Sequence, residues 1–435
     1  MIKRTRGMAL FIVLIISIAF FGSSIGEADA SAGTDNSASN EETELVLWTA
    51  NYGSAINRQD YLDAIKDFEV LHPGVTIKMD TFEYQDYQTR IKAAAASNAL
   101  PDIFLTLSGE FSEGLVTSGR LLCLDDYSKP YADDITMAAL SSGVYDGKLY
   151  GSVATQSISV LWYNKAMFEA QGLSVPTTGD ELVMACNKFK AAGIKSFGLP
   201  GDDSWTAWTL GVLYDALVLQ SAGEKKVSKA LKKQGQSYRD ADFLKAATTF
   251  KQIADIGNSV SDTTHTDYTD INNDFCSGKI PMFISGSWEI YGIMDAAENL
   301  QNFSVAPVPV INSLNSSATD FIGSGDGILM VAASTKHPDL AAAAAFELTK
   351  SISRYNYLRD GKIPAWKVDY DDSNVPALRR ELKDLAGSAT SVTLWSDTLL
   401  AVDDFYEYLS LLGNFYKDEI TAPEFVKGMD AMLRN

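Results

Sequence analysis

ELVLWTANYGSAINRQDYLDAIKDFEVLHPGVTIKM, residues 44–79, is the run on which the fold turns. Its first six residues alternate and are rich in β-formers, and a polar break, Ala50-Asn51-Tyr52-Gly53-Ser54, follows. From 61 to 71 the apolar residues take helical spacing, His72-Pro73-Gly74 stops the helix, and 75–79 reads as a second strand. This is a β-α-β unit. A helix over 87–97 follows, and Pro101-Asp102 opens a third strand over 103–107 that runs into Ser108-Gly109-Glu110. Strands alternating with helices predict an α/β fold with mostly parallel sheets, in which ligands gather at the carboxyl ends of strands. That rule puts Asn51, Tyr52, Glu83, Tyr84, Ser108, Gly109 and Glu110 on one rim.

Outward from this unit, 146–154 reads as a hairpin, 157–163 as a strand and 165–171 as a helix. Long helical patterns fill 182–257, broken at Gly201-Asp202-Asp203-Ser204 directly before Trp205 and Trp208. Strand character resumes over 281–285. The segment 305–311, with Pro307 and Pro309, reads as a crossing between lobes, 328–332 as a strand and the alanine-rich 338–350 as a helix. A chain this long exceeds one simple core and predicts two. One lobe takes 44–154 with about 312–360, and the other takes 155–311 with about 361–435.

Residues 1–30 read as an export signal: Lys3, Arg4 and Arg6 precede an apolar run of signal-peptide length, and Ala28-Asp29-Ala30 supplies the cleavage residues. An uncleaved anchor is the competing reading. The nearest cysteine after that run is Cys123, so no lipid attachment is indicated. Residues 31–43 are small and polar without periodicity, a flexible tether. The formal charge is −20, and such a surface repels nucleic acid and anionic lipid. Cys123, Cys186 and Cys276 show no metal spacing and read as free thiols.

Catalytic and cofactor signatures are missing: His72, His265 and His337 have no evident partners, and there is no HExxH, GxSxG, Walker or GxGxxG pattern. The acidic runs 262–274 and 369–372 lack the spacing of a calcium loop. A glycosidase needs only two carboxylates about 5–10 Å apart, and nothing singles out such a pair.

Tryptophan placement does stand out. Trp205 follows Gly-Asp-Asp-Ser, Trp288 follows Gly-Ser, Trp366 follows Ile-Pro-Ala, and Trp395 lies beside Ser396 and Asp397. Each sits where a polar turn meets an apolar segment, which suits a cavity mouth. A pyranose offers a C–H face that packs on an aromatic ring and a rim of hydroxyls that pair with carboxylates and amides. Trp288 with Glu289 supplies both halves if Glu289 turns inward; under strand alternation Glu289 faces away. Gln156, Asp203 and Asp326 join the candidate polar rim.

Taken together, HPGV at 72–75, ALPDIF at 99–104, DGKLYG at 146–151, LWYNKAMFEAQGL at 161–173, PTTGDEL at 176–182, FCSGKIPMFISGSWE at 275–289, VAPVPV at 305–310 and DGKIPAW at 360–366 resemble one family. It is the bacterial extracellular solute-binding proteins of ABC importers, of the carbohydrate-binding, maltose-binding-protein-like type. The resemblance implies two α/β lobes in a Venus-flytrap arrangement, three crossing segments as hinge, and closure on a sugar. It implies a carbohydrate ligand, ABC permease subunits as partners, no cofactor, no enzymatic activity and a monomer outside the cytoplasmic membrane. Trp288, Trp205 and Trp395 match the family's sugar-stacking positions. Gly109 replaces an acidic ligand and Ser157 a glutamate, so maltodextrin contacts are not carried over. A polyamine, peptide or glycerol phosphate in the same fold is the alternative ligand.

Overall fold

A computed structural model describes residues 42–51, 55–106, 109–136, 142–199, 207–258 and 268–434. The chain opens with β1 (Thr43–Asn51), α1 (Ala55–Leu71), β2 (Val75–Glu83), α2 (Tyr84–Ala96), β3 (Ile103–Thr106), α3 (Glu110–Thr117) and α4 (Asp125–Ser128). β1 pairs in parallel with both β2 and β3, so the β-α-β unit forms as the sequence indicates. Gly74, at φ 90°, supplies the left-handed residue that turns α1 into β2. A short hairpin, β4 (Val144–Tyr145) and β5 (Lys148–Leu149), leads into β6 (Gly151–Asn164), α5 (Lys165–Ala170) and α6 (Gly179–Ala191). Thr178 and Glu181 form a reciprocal capping box that starts α6.

Helices α7 (Ala207–Ala222), α8 (Glu224–Leu231), α9 (Ala241–Asn258) and α10 (Tyr268–Cys276) come next. The chain continues through β7 (Met282–Gly286), α11 (Ile290–Ala296), β8 (Phe303–Ala306), β9 (Asp320–Val331) and α12 (Pro338–Arg359). It ends with β10 (Ile363–Pro364), α13 (Ala377–Gly387), β11 (Ser391–Thr393), α14 (Ser396–Leu399), α15 (Val402–Tyr416) and α16 (Ala422–Met432).

The expectation of mostly parallel sheets holds around β1 and where β11 pairs with β9, and fails elsewhere. β9 runs antiparallel to β3 and β6, and β7, β8 and β10 run antiparallel to β6. Parallel pairs need a crossover helix such as α1, whereas β6 and β9 meet after a long excursion through other elements, which frees their relative direction.

Three principal cores surround these strands. Leu45, Leu47, Phe104, Met330 and Phe346 pack in one, under α12. Leu182, Phe189, Tyr214, Phe250 and Phe425 fill a second, helix-rich core, and Ile158, Trp162, Phe275 and Leu382 fill a third beside it. β6 threads from one side to the other, with Val153 in the first core and Trp162 in the third. β9 makes the return passage, with Phe321 in the third core and Met330 in the first. The segment 305–311 is not a crossing: Ala306 and Val308 pack in the helix-rich core, and Val310 bridges to Thr178 on the same side. Its two prolines misled the reading, because they terminate a strand rather than span two bodies. All three cysteines are unpaired.

Candidate functional site

Where β6 and β9 pass between the cores, they floor a cavity of 1060 Å³, at the upper end of the size that holds small ligands. Thr155, Gln156 and Ser157 of β6 and Ser324 to Asp326 of β9 form the floor. One wall comes from α2 and α3 through Lys92, Ala95, Leu115 and Ser118. The other comes from the β7–α11 junction and the α14–α15 region, through Trp288, Tyr291, Asp397, Thr398 and Val402. A smaller chamber of 230 Å³ shares Ser157, Trp288, Ser324, Asp397 and Thr398 with it and adds Trp208, Asp215, Trp395 and Phe405.

Local sequence explains why Trp288 stands on that wall. β7 ends at Gly286, and Ser287–Glu289 form one 3-10 turn. Gly286 is extended, with φ −78° and ψ 166°, so its backbone would accept any residue. Space is what demands glycine, because a Cβ there would enter the six-membered ring of Trp288. The buried Trp162 indole donates to the Gly286 carbonyl at 3.2 Å, and the Ile158 N–H donates to the Ser287 hydroxyl at 3.3 Å, fixing the turn against β6. Trp288 is thereby set between two further indoles, with ring centroids 6.1 Å from Trp208 and 5.5 Å from Trp395. The N–H of Trp288 is buried and has no acceptor among the described residues.

The polar groups are of mixed sign. Asp326 accepts the Gly327 N–H at 2.8 Å, and Asp397 accepts the Thr398 hydroxyl at 3.1 Å. Burial raises the Asp397 carboxyl above its usual range. Lys92, Arg120 and Lys362 also line the main cavity. Arg120 donates to the Asn98 side chain at 2.6 Å. Gln156 is held by its amide, which donates to the Pro364 carbonyl at 2.8 Å, while the Ser157 and Ser324 hydroxyls lie 3.4 Å apart.

The walls also meet directly. Gly109, at φ 85° at the start of α3, lies so near α14 that a Cβ would come within 2.8 Å of the Thr398 carbonyl oxygen. Both the left-handed backbone and the close approach require glycine at this point.

Of the residues singled out by sequence, Trp288, Trp395, Gln156, Ser157 and Asp326 line these cavities. Three others do not. Glu289 is 1% exposed and faces inward to the protein, accepting the Ser285 hydroxyl at 2.6 Å and the Asn272 amide. The turn is 3-10, in which consecutive residues point about 120° apart, so indole and carboxylate part company. Trp366 is 3% exposed in the first core, its N–H donating to the Val153 carbonyl at 2.9 Å. Its junction with Ile-Pro-Ala marks the short strand β10 rather than a mouth. Glu83 ends β2 exposed and is not among the residues that line the cavity. Asn51 ends β1 and Glu110 begins α3, and the placement of their side chains is outside the described set. Tyr52, Ser108, Asp203 and Trp205 lie outside the described residues.

Sequence reasoning passed over Asp215, Tyr291, Thr398 and the role of Trp208. Asp215 carried a signal: it is the only charged residue of α7, AWTLGVLYDALVLQSA. It is buried, accepts the Ser396 N–H at 3.0 Å and the Tyr408 hydroxyl at 2.9 Å, and burial pushes its carboxyl up to about 7.

The profile of the family described as bacterial extracellular solute-binding protein matches residues 55–348. The multiple sugar-binding protein of Streptococcus mutans is 25% identical over 331 residues, 74% of this chain and 76% of that one. An uncharacterised ABC transporter extracellular-binding protein of Pyrococcus horikoshii is 25% identical over 320 residues, 73% of this chain and 72% of its own. A solved structure from work on xylan utilisation by the thermophilic bacterium Caldanaerobius polysaccharolyticus is 29% identical, covers 89% of this chain and 99% of its own, and superposes with a TM-score of 0.69. Among the described residues no helix is long and apolar enough to cross a membrane.

Proposed function

The chain belongs to the bacterial extracellular solute-binding proteins, and from that premise we propose that it is the substrate-binding component of an ABC importer that captures an oligosaccharide between its two lobes. The observation that carries this reading is the cluster of Trp208, Trp288 and Trp395 in the smaller chamber, with Trp288 and Asp397 shared with the main cavity that holds Asp326 and Gln156. Indole faces take the C–H side of a sugar ring, and carboxylates and amides take its hydroxyls. Lys92, Arg120 and Lys362 offset the acidic residues, which favours a neutral polyhydroxylated ligand over a polyamine. The Streptococcus mutans relative, named a multiple sugar-binding protein, and the structure from work on xylan utilisation support the carbohydrate class.

In this reading the core under α12 is one lobe and the helix-rich and third cores are the other, joined at β6, β9 and β10, with the return crossing along β9 rather than at about 312. Sugar contacts on both walls exist only in the closed form, so ligand biases closure, and the permease subunits recognise the closed form. The protein acts without catalysis, as an exported monomer released near Ala30.

A thermal-shift screen over neutral xylo-, arabino-, malto- and raffinose-type oligosaccharides tests this. A bound sugar raises the melting temperature with concentration by mass action. A panel that leaves it unmoved while spermidine or glycerol 3-phosphate raises it would replace the carbohydrate reading with that ligand.

A further inference from the structure

The chamber behind Trp288 contains a carboxylate that the proposed sugar contacts do not use. Asp215 comes from the middle of α7, 6% exposed, and its two oxygens divide their work: Oδ2 accepts the Ser396 N–H at 3.0 Å and Oδ1 the Tyr408 hydroxyl at 2.9 Å. Ser396 stands between Trp395 and Asp397, and Trp395 packs its ring 5.5 Å from that of Trp288. One buried carboxylate therefore ties the turn that carries a chamber indole and a cavity acid to the helical core beneath. The ionisable groups facing it are Tyr408 of α15, Asp397 of α14, Tyr214 on its own helix and Tyr238 before α9. Asp397, the other acid, acts in the same direction as burial in disfavouring the charge.

We propose that Asp215 is a positioning residue for ligand capture: ionised, it clamps the Trp395–Asp397 turn so that Trp395 supports Trp288, and protonation loosens that clamp and weakens capture. The inference rests on the carbohydrate reading for its ligand, but not for the clamp itself. An ionised carboxylate accepts both hydrogen bonds fully, whereas a proton on either oxygen competes with one of them. Burial places the transition about pH 7, so affinity rises with pH across roughly pH 6 to 8. Because Asp215 is already buried, a sugar adds little desolvation to oppose this sign.

The test has two arms. Intrinsic tryptophan fluorescence of the full mature chain is followed from pH 5.5 to 8.5 without sugar. A sigmoidal change centred near neutrality is expected, with most of its amplitude lost in Trp395→Phe and all of it in Asp215→Asn, while far-UV circular dichroism stays unchanged. Asp397→Asn should move the midpoint downward without abolishing it. A flat wild-type curve, or a curve that persists in Asp215→Asn, overturns the proposal. In the second arm, xylotetraose is titrated calorimetrically at pH 6 and pH 8. Wild type should bind at least threefold more weakly at pH 6, with the two values converging in Asp215→Asn; equal wild-type affinities at the two pH values overturn it. If xylotetraose does not bind, that failure belongs to the choice of sugar, and the fluorescence arm decides the clamp.

Discussion

Trp288 and Glu289 are neighbours in sequence and part ways in space, and the reason is local. Gly286 leaves room for the indole to fold back over β7, and the single 3-10 turn then directs the next side chain into the protein. Gly286→Ala is expected to displace Trp288 and weaken sugar binding at least tenfold, as read by calorimetric titration. Glu289→Ala should do the opposite: it leaves Ser285 and Asn272 unpaired and costs about 1–3 kcal/mol of stability in chemical denaturation, with affinity unchanged within about twofold. The Trp-Glu pair was legible in the sequence as a turn after a strand, but which of the two side chains reaches the cavity was not. Whether a residue after a glycine continues a strand or enters a 3-10 turn depends on Trp162 and Ile158, which pin the turn from another strand. Trp366 misled for a related reason, since an indole beside a proline looks the same whether its N–H meets a ligand or the Val153 carbonyl.

At the level of elements, the β-α-β unit was legible because its periodicity and its Pro-Gly stop are local. β6 was read at half its length, as 157–163: the whole strand is buried on both faces and so does not alternate, and Gly151, Ser152, Thr155 and Gln156 thin out the apolar run of its first half. The passage through β9 was placed wrongly at 305–311, since only tertiary packing distinguishes a crossing strand from a strand end. Helix α16 shows how a single carboxylate secures an element. Burial alone would raise Asp430, yet the Ser237 hydroxyl, the Tyr238 N–H, Arg434 and Arg239 outweigh it and hold it below its ordinary value. A lowered folded value gives stability that is present above the unfolded value of about 3.9 and is lost as pH falls through the folded one. Asp430→Asn is therefore expected to be less stable than wild type at pH 7. The gap should narrow as pH falls below the unfolded value of about 3.9, as followed by thermal unfolding across pH. A constant gap down to pH 2.5 would assign the effect to packing rather than charge.

For the whole molecule, the site is a product of two bodies meeting over β6 and β9. The two-lobe class was legible from length, alternating elements and the ordered family motifs, because these survive without knowledge of side-chain direction. The exact wall was not, since it joins α2, β6, β9, α11 and α14 from five distant parts of the chain. Gly109 against Thr398 marks a point where the walls touch. Gly109→Ala should resist that approach and weaken capture at least fivefold. Small-angle scattering should then show a smaller sugar-dependent decrease in radius of gyration than wild type shows. A mutant that contracts and binds like wild type would remove this contact from closure.

The central claim is that indole faces on this cavity hold a sugar. Calorimetric titration of wild type, Trp288→Ala and Trp395→Ala with the oligosaccharide that gives the largest thermal shift tests it most directly. The account predicts at least a tenfold loss for Trp288→Ala, about 1.4 kcal/mol, and a clear loss for Trp395→Ala, with both variants folded. Wild-type affinity retained in both would contradict it.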